Sequence, residues 1–264
     1  MSRCIALLLG FAASGPAVPA QQQEAQDGYR VLARMHAAYA GKWYSSIVFV
    51  QKTSLVRANG TRDTTTWYES LKGPDLLRID FGEPKAGRGV IFTAESSFVF
   101  RDGQLSRSAA EGNPFLPLVM GVYLEPVDVA ARGAVHHGFD LTKAHRAMWA
   151  GKPVYVVGAA SDADTAAAQF WVDVDRLLVV RMRVPVSPGG APLDIRLDDY
   201  VPVEGGWLAT RVTIARAGTP VQLEEYTEWS DGVAVPDSLF ARKRWVTGGH
   251  WVGRPRGTGW VRGR

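Results

Sequence analysis

The 264-residue chain has a single cysteine, Cys4, inside a short apolar stretch near its start. If that stretch is a leader, its removal leaves no thiol. Disulfides, thiol nucleophiles and Cys-ligated zinc are then excluded together. No apolar run reaches the roughly 20 residues that a membrane-spanning helix needs. There is no Gly-x-Ser-x-Gly elbow for an acyl hydrolase. The loop-like run from Gly82 to Gly89 holds Gly87-Arg88-Gly89 but no Gly-Lys-Ser/Thr, so it is not a phosphate loop. No repeat of fixed period and no βαβ rhythm is present, which argues against a doubly wound sheet. Hydrophobic residues make up 46% and charged residues 21%, a balance that excludes wholesale disorder.

The first twenty residues read as an export signal. Arg3 gives a positive start, and Cys4 to Ala13 (CIALLLGFAA) is an apolar core too short to span. Val18-Pro19-Ala20 places small residues where a signal peptidase reads, so cleavage is expected after Ala20, with the mature chain in a periplasm. Cys4 precedes the apolar core rather than ending it, so it is no lipid-anchor site.

Charge is unevenly spread. The last 23 residues hold Arg242, Lys243, Arg244, Arg254, Arg256, Arg262 and Arg264 and no acid, for a net +7. One further cation is in the leader, so residues 21–241 carry 22 cations against 26 acids and a net charge of −4. The expected division is therefore a leader (1–20), a domain (21–241) and a basic Gly/Trp-rich tail (242–264). The tail reads as solvated and disordered, or as a tether to an anionic membrane surface, with Trp245, Trp251 and Trp260 at the interface. Export argues against nucleic acid as a partner.

Residues 25–41 read as a helix. Tyr29, Leu32, His36 and Tyr39 form one stripe, Asp27 can cap it and Gly41 ends it. The period then changes to two. Strands are expected at 46–56, 64–71, 76–81, 89–93 and 97–101, with turns at Asn59-Gly60 and Asp102-Gly103. The strand signal lapses from Asn113 to Ala150, where a helix is expected to run through Met120 and another to begin at Pro126. Strands resume at 153–159, 168–173, 177–185, 192–200, 206–216 and 220–229. Clean alternation along 178–184 and 193–198 argues for antiparallel strands with one wet face. The reading is α+β, mostly β. About eleven antiparallel strands form an open half-barrel, with an N-terminal helix and a mid-chain helical lid. A sheet of that size curls, and its concave face must be filled by helices or by an apolar guest.

Catalytic constellations are thin. His136-His137, with Asp140 and His145 nearby, is the one metal-like cluster, but adjacent histidines point apart and no zinc-site spacing matches. Asp198-Asp199 and Glu224-Glu225 read as solvent-face charge on strands. No catalytic group, metal or cofactor is expected.

Several segments, taken in order, resemble the LolA/LolB/RseB superfamily of periplasmic lipoprotein-handling proteins. Ser45-Ser46-Ile47-Val48-Phe49-Val50-Gln51-Lys52 is similar to the first strand after the family's opening helix. Leu71-Lys72-Gly73-Pro74-Asp75-Leu76-Leu77-Arg78-Ile79-Asp80 resembles its strand–Pro–strand corner. Gly112-Asn113-Pro114-Phe115 resembles the turn before its mid-chain helix. Phe170-Trp171-Val172-Asp173-Val174-Asp175, leading into 177–184, is similar to its late strands, and Phe240 to its closing Phe. Gly73 stands where the family's carrier has an Arg that latches the lid, and the chain is longer than the carrier in 104–150 and in the tail. The resemblance implies an unclosed barrel with a helical lid, an acyl-receiving cavity and no catalysis. The implied guest is a lipid or an acylated protein. An envelope protein-interaction or sensor module of the RseB type is the alternative. The expected lining is Phe49, Trp67, Leu77, Ile79, Phe81, Phe92, Phe98, Phe100, Phe170, Val180, Met182 and Ile195.

Overall fold

A computed structural model describes residues 27–186, 190–245 and 261–262. The export signal with its cleavage after Ala20, and most of the basic tail, lie outside the described residues.

Helix α1 (Gly28–Tyr39) starts at Asp27, whose carboxylate accepts from the Tyr29 N–H at 2.9 Å. Its buried stripe is Gly28, Val31, Leu32 and Met35, so Leu32 packs inward while Tyr29 is exposed. Six strands follow as a meander: β1 (Ser46–Val56), β2 (Arg62–Lys72), β3 (Leu76–Phe81), β4 (Gly89–Phe92), β5 (Ser97–Arg101) and β6 (Gln104–Ala109). A π-helical turn (Pro117–Gly121), α2 (Val122–Leu124) and α3 (Val127–His136) then cross to the second meander. That meander is β7 (Ala144–Trp149), β8 (Lys152–Val157), β9 (Gln169–Asp173), β10 (Val179–Val184), β11 (Leu193–Val203), β12 (Gly206–Arg216) and β13 (Thr219–Asp231).

All of these strands form one antiparallel sheet, ordered β6-β5-β4-β3-β2-β1-β13-β12-β11-β10-β9-β8-β7, and β14 (Val261–Arg262) pairs with β13. The path therefore has thirteen strands rather than eleven. The two extra ones, β6 and β7, are the free edges of the described sheet, so it is open. Edge strands bond on one side only and tolerate weak strand sequences. Gln104–Ala109 is almost wholly exposed, and Ala144–Trp149 is read without Val, Ile or Thr.

The concave face carries the main core. Val31, Leu32 and Met35 of α1 and Ala130 and Ala134 of α3 share one cluster with Tyr155, Val157, Phe170, Val172, Met182 and Ile195 of the second meander. The convex face is not simply wet. Val235, Leu239, Phe240 and Trp245 fold back over Val48, Ile91 and Phe100. The packed chain thus continues past residue 241, because Trp245 is 7% exposed. It lies over Gly89, where any Cβ would come within 2.5 Å of the indole.

Beneath this strap, Arg78 and Asp80, two apart on β3 and so on the same face, are fully buried. Arg78 Nε and Nη2 donate to the two Asp80 oxygens, both at 2.8 Å, Nη1 donates to the Leu239 carbonyl at 3.0 Å, and the guanidinium sits 3.8 Å from the Trp245 ring. Burial pushes the Asp80 carboxyl up, and the Arg78 bonds and charge pull it back. Removing one member of such a pair strands a buried charge. Asp80→Ala is therefore expected to lower the unfolding free energy by about 3–5 kcal/mol in urea titrations. The apolar double replacement Arg78→Met with Asp80→Leu should cost less. A single-variant loss under about 1 kcal/mol would show that the pair does not hold the strap.

Candidate functional site

Between the lid and the middle of the sheet, across the β1–β13 seam, lies a cavity of about 150 Å³. Its roof is Phe115, Val119, Met120 and Tyr123 from the lid segment. Its walls are Ile47 and Phe49 of β1, Leu71 of β2, Leu77 and Ile79 of β3, and Leu197, Leu208, Ala209, Val212 and Ile214 of β11 and β12.

An aromatic cluster anchors the lid. The rings of Trp43 and Tyr123 stack at 3.9 Å, and Tyr39 meets both edge-on, at 5.0 and 5.3 Å. Tyr123 donates to the Leu177 carbonyl at 3.0 Å, and a His36 ring nitrogen lies 3.0 Å from the Val122 carbonyl. At the lid's contact with the sheet corner, Gly73 leaves no room for a side chain: a Cβ there would come within 2.2 Å of Leu124 and 3.2 Å of Met120. Close packing replaces the side-chain latch that the resemblance places at this position.

Of the expected lining residues, Phe49, Leu77 and Ile79 reach the cavity. The other nine do not. Phe170, Met182 and Ile195 are on the concave side but fill the core under α1 and α3. Phe92 packs half-buried against that core. Trp67 and Phe81 pair with each other, centroids 4.6 Å apart, outside the cavity wall. Phe98 and Phe100 face the convex side under the Trp245 strap. Alternation assigns such residues to one face correctly, but not which face is concave when both are covered. Val180 also faces outward, into a cluster with Trp171 and Val154. A register shift between Val179 and Arg181 is the cause: it adds a residue and breaks the alternation along 178–184.

The cavity also receives two carboxyl groups, Glu69 of β2 and Glu224 of β13. Glu224 does not lie on a solvent face; its neighbour Glu225 is the exposed member. A bulge decides between them. Phe49 pairs with Trp229, but Gln51 pairs with Tyr226, so Thr227 is skipped. Past the bulge, inward parity on β13 falls on Tyr226, Glu224 and Gln222. Glu69 is 5% exposed and directly opposite Phe49 in the sheet. It has no feature in the sequence that sets it apart from a surface strand acid.

Burial, then the Glu224 and Asp80 charges, raise the Glu69 carboxyl well above the usual range. Burial pushes Glu224 up to about 7, against smaller opposing bonds from Gln222 and Gln51. Tyr226, stacked on Phe49 at 4.4 Å, and Tyr123 are likewise raised by burial and stay protonated. Among the described residues no three His, Cys, Asp or Glu side chains converge as a metal site. His136 and His137 cross at 80°, and His145 is held by Asp162 and the Ala159 carbonyl.

The fold is LolA-like. The chain is similar to a DUF1329 family protein from Desulfovibrio piger, with a TM-score of 0.55 and 15% identity over 81% of this chain and 95% of that one. It is also similar to a LolA superfamily protein from Nitrosomonas europaea, with a TM-score of 0.53 and 12% identity over 81% of this chain and 97% of that one. No protein-family model matches the sequence, and no curated protein is significantly similar to it.

The folded state holds a proton on Glu224 between its ordinary 4.5 and about 7, where the unfolded chain has released it. Protons therefore favour the fold in that window, and this contribution is lost as the pH rises through it. The loss is expected to be on the order of 2–3 kcal/mol. Urea unfolding at pH 5 and pH 7.5 should show Glu224→Gln more stable than the parent at the higher pH and similar to it at the lower. Parallel losses in the two proteins would clear this carboxyl of the effect.

Proposed function

We propose that this chain is a non-catalytic binding protein of the bacterial periplasm whose guest is a lipid or the acyl chain of a lipidated protein. The observation that carries the reading is the apolar, aromatic-roofed cavity between lid and sheet in a LolA-like fold. Each CH₂ taken from water into such a space gains about 0.8 kcal/mol, so a dozen carbons give micromolar affinity after ordering costs. A cavity of about 150 Å³ matches one aromatic ring better than a long chain. A full acyl chain therefore enters as α2 and the π-helical turn lift from the sheet.

The small closed volume also favours a second reading, an RseB-type module whose filled trough is a scaffold for a protein partner. Mass spectrometry of a chloroform extract of the purified protein separates the two. Acyl species are expected from the parent and should be depleted at least tenfold in Ala209→Trp, which fills the cavity, with the melting curve confirming that the variant folds. A lipid-free extract, together with a partner that survives delipidation and the Ala209→Trp change, would favour the second reading over the first.

Because Trp245 is buried in the domain rather than at an interface, the part of the basic tail assigned to an anionic membrane surface is residues 246–264. Cosedimentation with phosphatidylglycerol vesicles should fall steeply between 50 and about 300 mM salt. Binding that is insensitive to salt, or equal on neutral vesicles, would remove that role.

A further inference from the structure

We infer that the polar end of this cavity is a site for the ammonium group of an amine-bearing amphiphile; the inference rests on the binding-protein reading and names the head group of its guest. The argument is a surplus of acceptors in an apolar space. Glu69 lines the cavity, is 5% exposed, and meets no hydrogen-bond donor or counter-ion among the described residues; the acid that shares the cavity with it is Glu224, while Asp80, whose charge also raises it, points to the other face of the sheet and is paired there with Arg78. Glu224 lines the same cavity from the far side of β1 and is met by the Gln222 amide at 2.5 Å. On the strand between them, Gln51 is fully buried. Its amide nitrogen donates to Thr53 at 3.0 Å, and its carbonyl oxygen has no partner.

Two carboxyls thus line the cavity from the strands on either side of β1, with the unpartnered Gln51 oxygen buried on the strand between them, and none of the described residues lining the cavity is Lys or Arg. Buried acceptors left unpaired are costly, and a guest that brings N–H donors removes that cost. The walls beside them favour a cation over a neutral donor. Phe49 and Tyr226 stack at 4.4 Å and, with Tyr44, give an aromatic wall; the Tyr200 and Trp207 rings of the same lining already meet the Arg176 guanidinium, at 5.3 and 5.8 Å. Aromatic faces attract an ammonium group, most strongly where water is excluded. A divalent metal would want more oxygen ligands than this wall offers. A fatty-acid carboxylate would add a third acidic group to two that already repel.

The carboxyls supply a second signature. Burial and mutual repulsion keep the pair partly protonated near neutral pH when the site is empty. The groups that face it within the cavity are Tyr226, Tyr44 and Tyr200, with the amides of Gln51 and Gln222; Asp80 lies on the other face of the sheet with its partner Arg78, and Arg176 lies against Tyr200 and Trp207. Neither arginine shifts Glu69 or Glu224, so an arriving ammonium is the charge that ionises the pair, and a proton leaves to solvent.

The test is displacement of N-phenyl-1-naphthylamine at pH 7 by decylamine, decanol and decanoate, which share one tail. Decylamine is expected to bind at least tenfold more tightly than decanol, and decanoate more weakly than both. Glu69→Gln and Glu224→Gln should each cut the amine preference severalfold, and the double variant should abolish it while decanol binding stays within about twofold. Calorimetry in buffers of different ionisation enthalpy should record proton release with decylamine and none with decanol. Equal binding of amine and alcohol, or a preference that survives the double substitution, overturns the inference and leaves the binding-protein reading standing. If none of the three decyl probes competes, both fall together.

Discussion

The architecture depends on the pairing of β1 with β13. Each meander is a run of sequential hairpins, and each could form from local contacts alone. Only the ladder from Ile47↔Asp231 to Leu55↔Gln222 joins them into one sheet. Its partners are nearly the whole domain apart in sequence, so closing it costs chain entropy that local hairpins do not meet. Burial of Ile47, Phe49 and Trp229 along the seam opposes that cost. Without this ladder there are two smaller sheets and no trough. The cavity lies across the seam: Phe49 comes from β1, Glu69 from the strand on one side of it, and Glu224 and Tyr226 from the strand on the other. The bulge in the ladder, where the Thr227 hydroxyl donates to the Val50 carbonyl at 3.2 Å, then selects which β13 side chains look inward.

Two pairs of buried ionisable groups, Arg78 with Asp80 and Glu69 with Glu224, are treated in opposite ways. Under the Trp245 strap, every bond of the Asp80 carboxylate is answered by Arg78, and the cation in turn is answered by a carbonyl and an indole face. That arrangement holds a covering segment in register over a sheet face. In the cavity, Glu69 and Glu224 are brought together with no cation between them. A fold under selection for stability alone would place glutamine or leucine there. Local arrangements that cost stability and serve no packing purpose mark sites where a ligand completes the chemistry. The contrast, within one sheet and one strand apart, is what supports the proposed ammonium site.

How much of this was legible in the sequence follows from which rules need only neighbours. Asp27 and the period along 28–39 place α1, and alternation with turn dipeptides places the long strands. Those signals are local. The edges β6 and β7 escaped because Gln104–Ala109 and Ala144–Trp149 are strands by hydrogen bonding rather than by composition. The lining residues were read less well for a different reason. Period two sorts residues into two sets but does not say which set faces the trough, and here the convex face is also greasy, because residues 233–245 return to cover it. Phe98 and Phe100 thus belong to the convex set, although period two alone fits either face. Val180 and Glu224 were misplaced by bulges, which reverse parity part-way along a strand and leave no mark in composition. Glu69 offered no signal at all: only its place opposite Phe49 in the assembled sheet distinguishes it.

The same geometry bears on how the cavity would admit the proposed guest. A lid latched by a charged side chain opens when that contact breaks, a step one ion pair can govern. Gly73 removes this option and lets Leu124 and Met120 settle directly onto the corner. What holds the lid is then the Trp43–Tyr123 stack, the Tyr123 hydroxyl on the Leu177 carbonyl and the His36 ring beside the Val122 carbonyl. The stack and the tyrosine bond both converge on Tyr123, which also roofs the cavity. A guest large enough to displace that ring therefore disturbs two of the lid's contacts at once, so filling the cavity and releasing the lid become the same event. On the proposed binding reading, opening would be coupled to the size of the guest rather than to its charge, and the carboxyls would be left to discriminate among guests already large enough to enter.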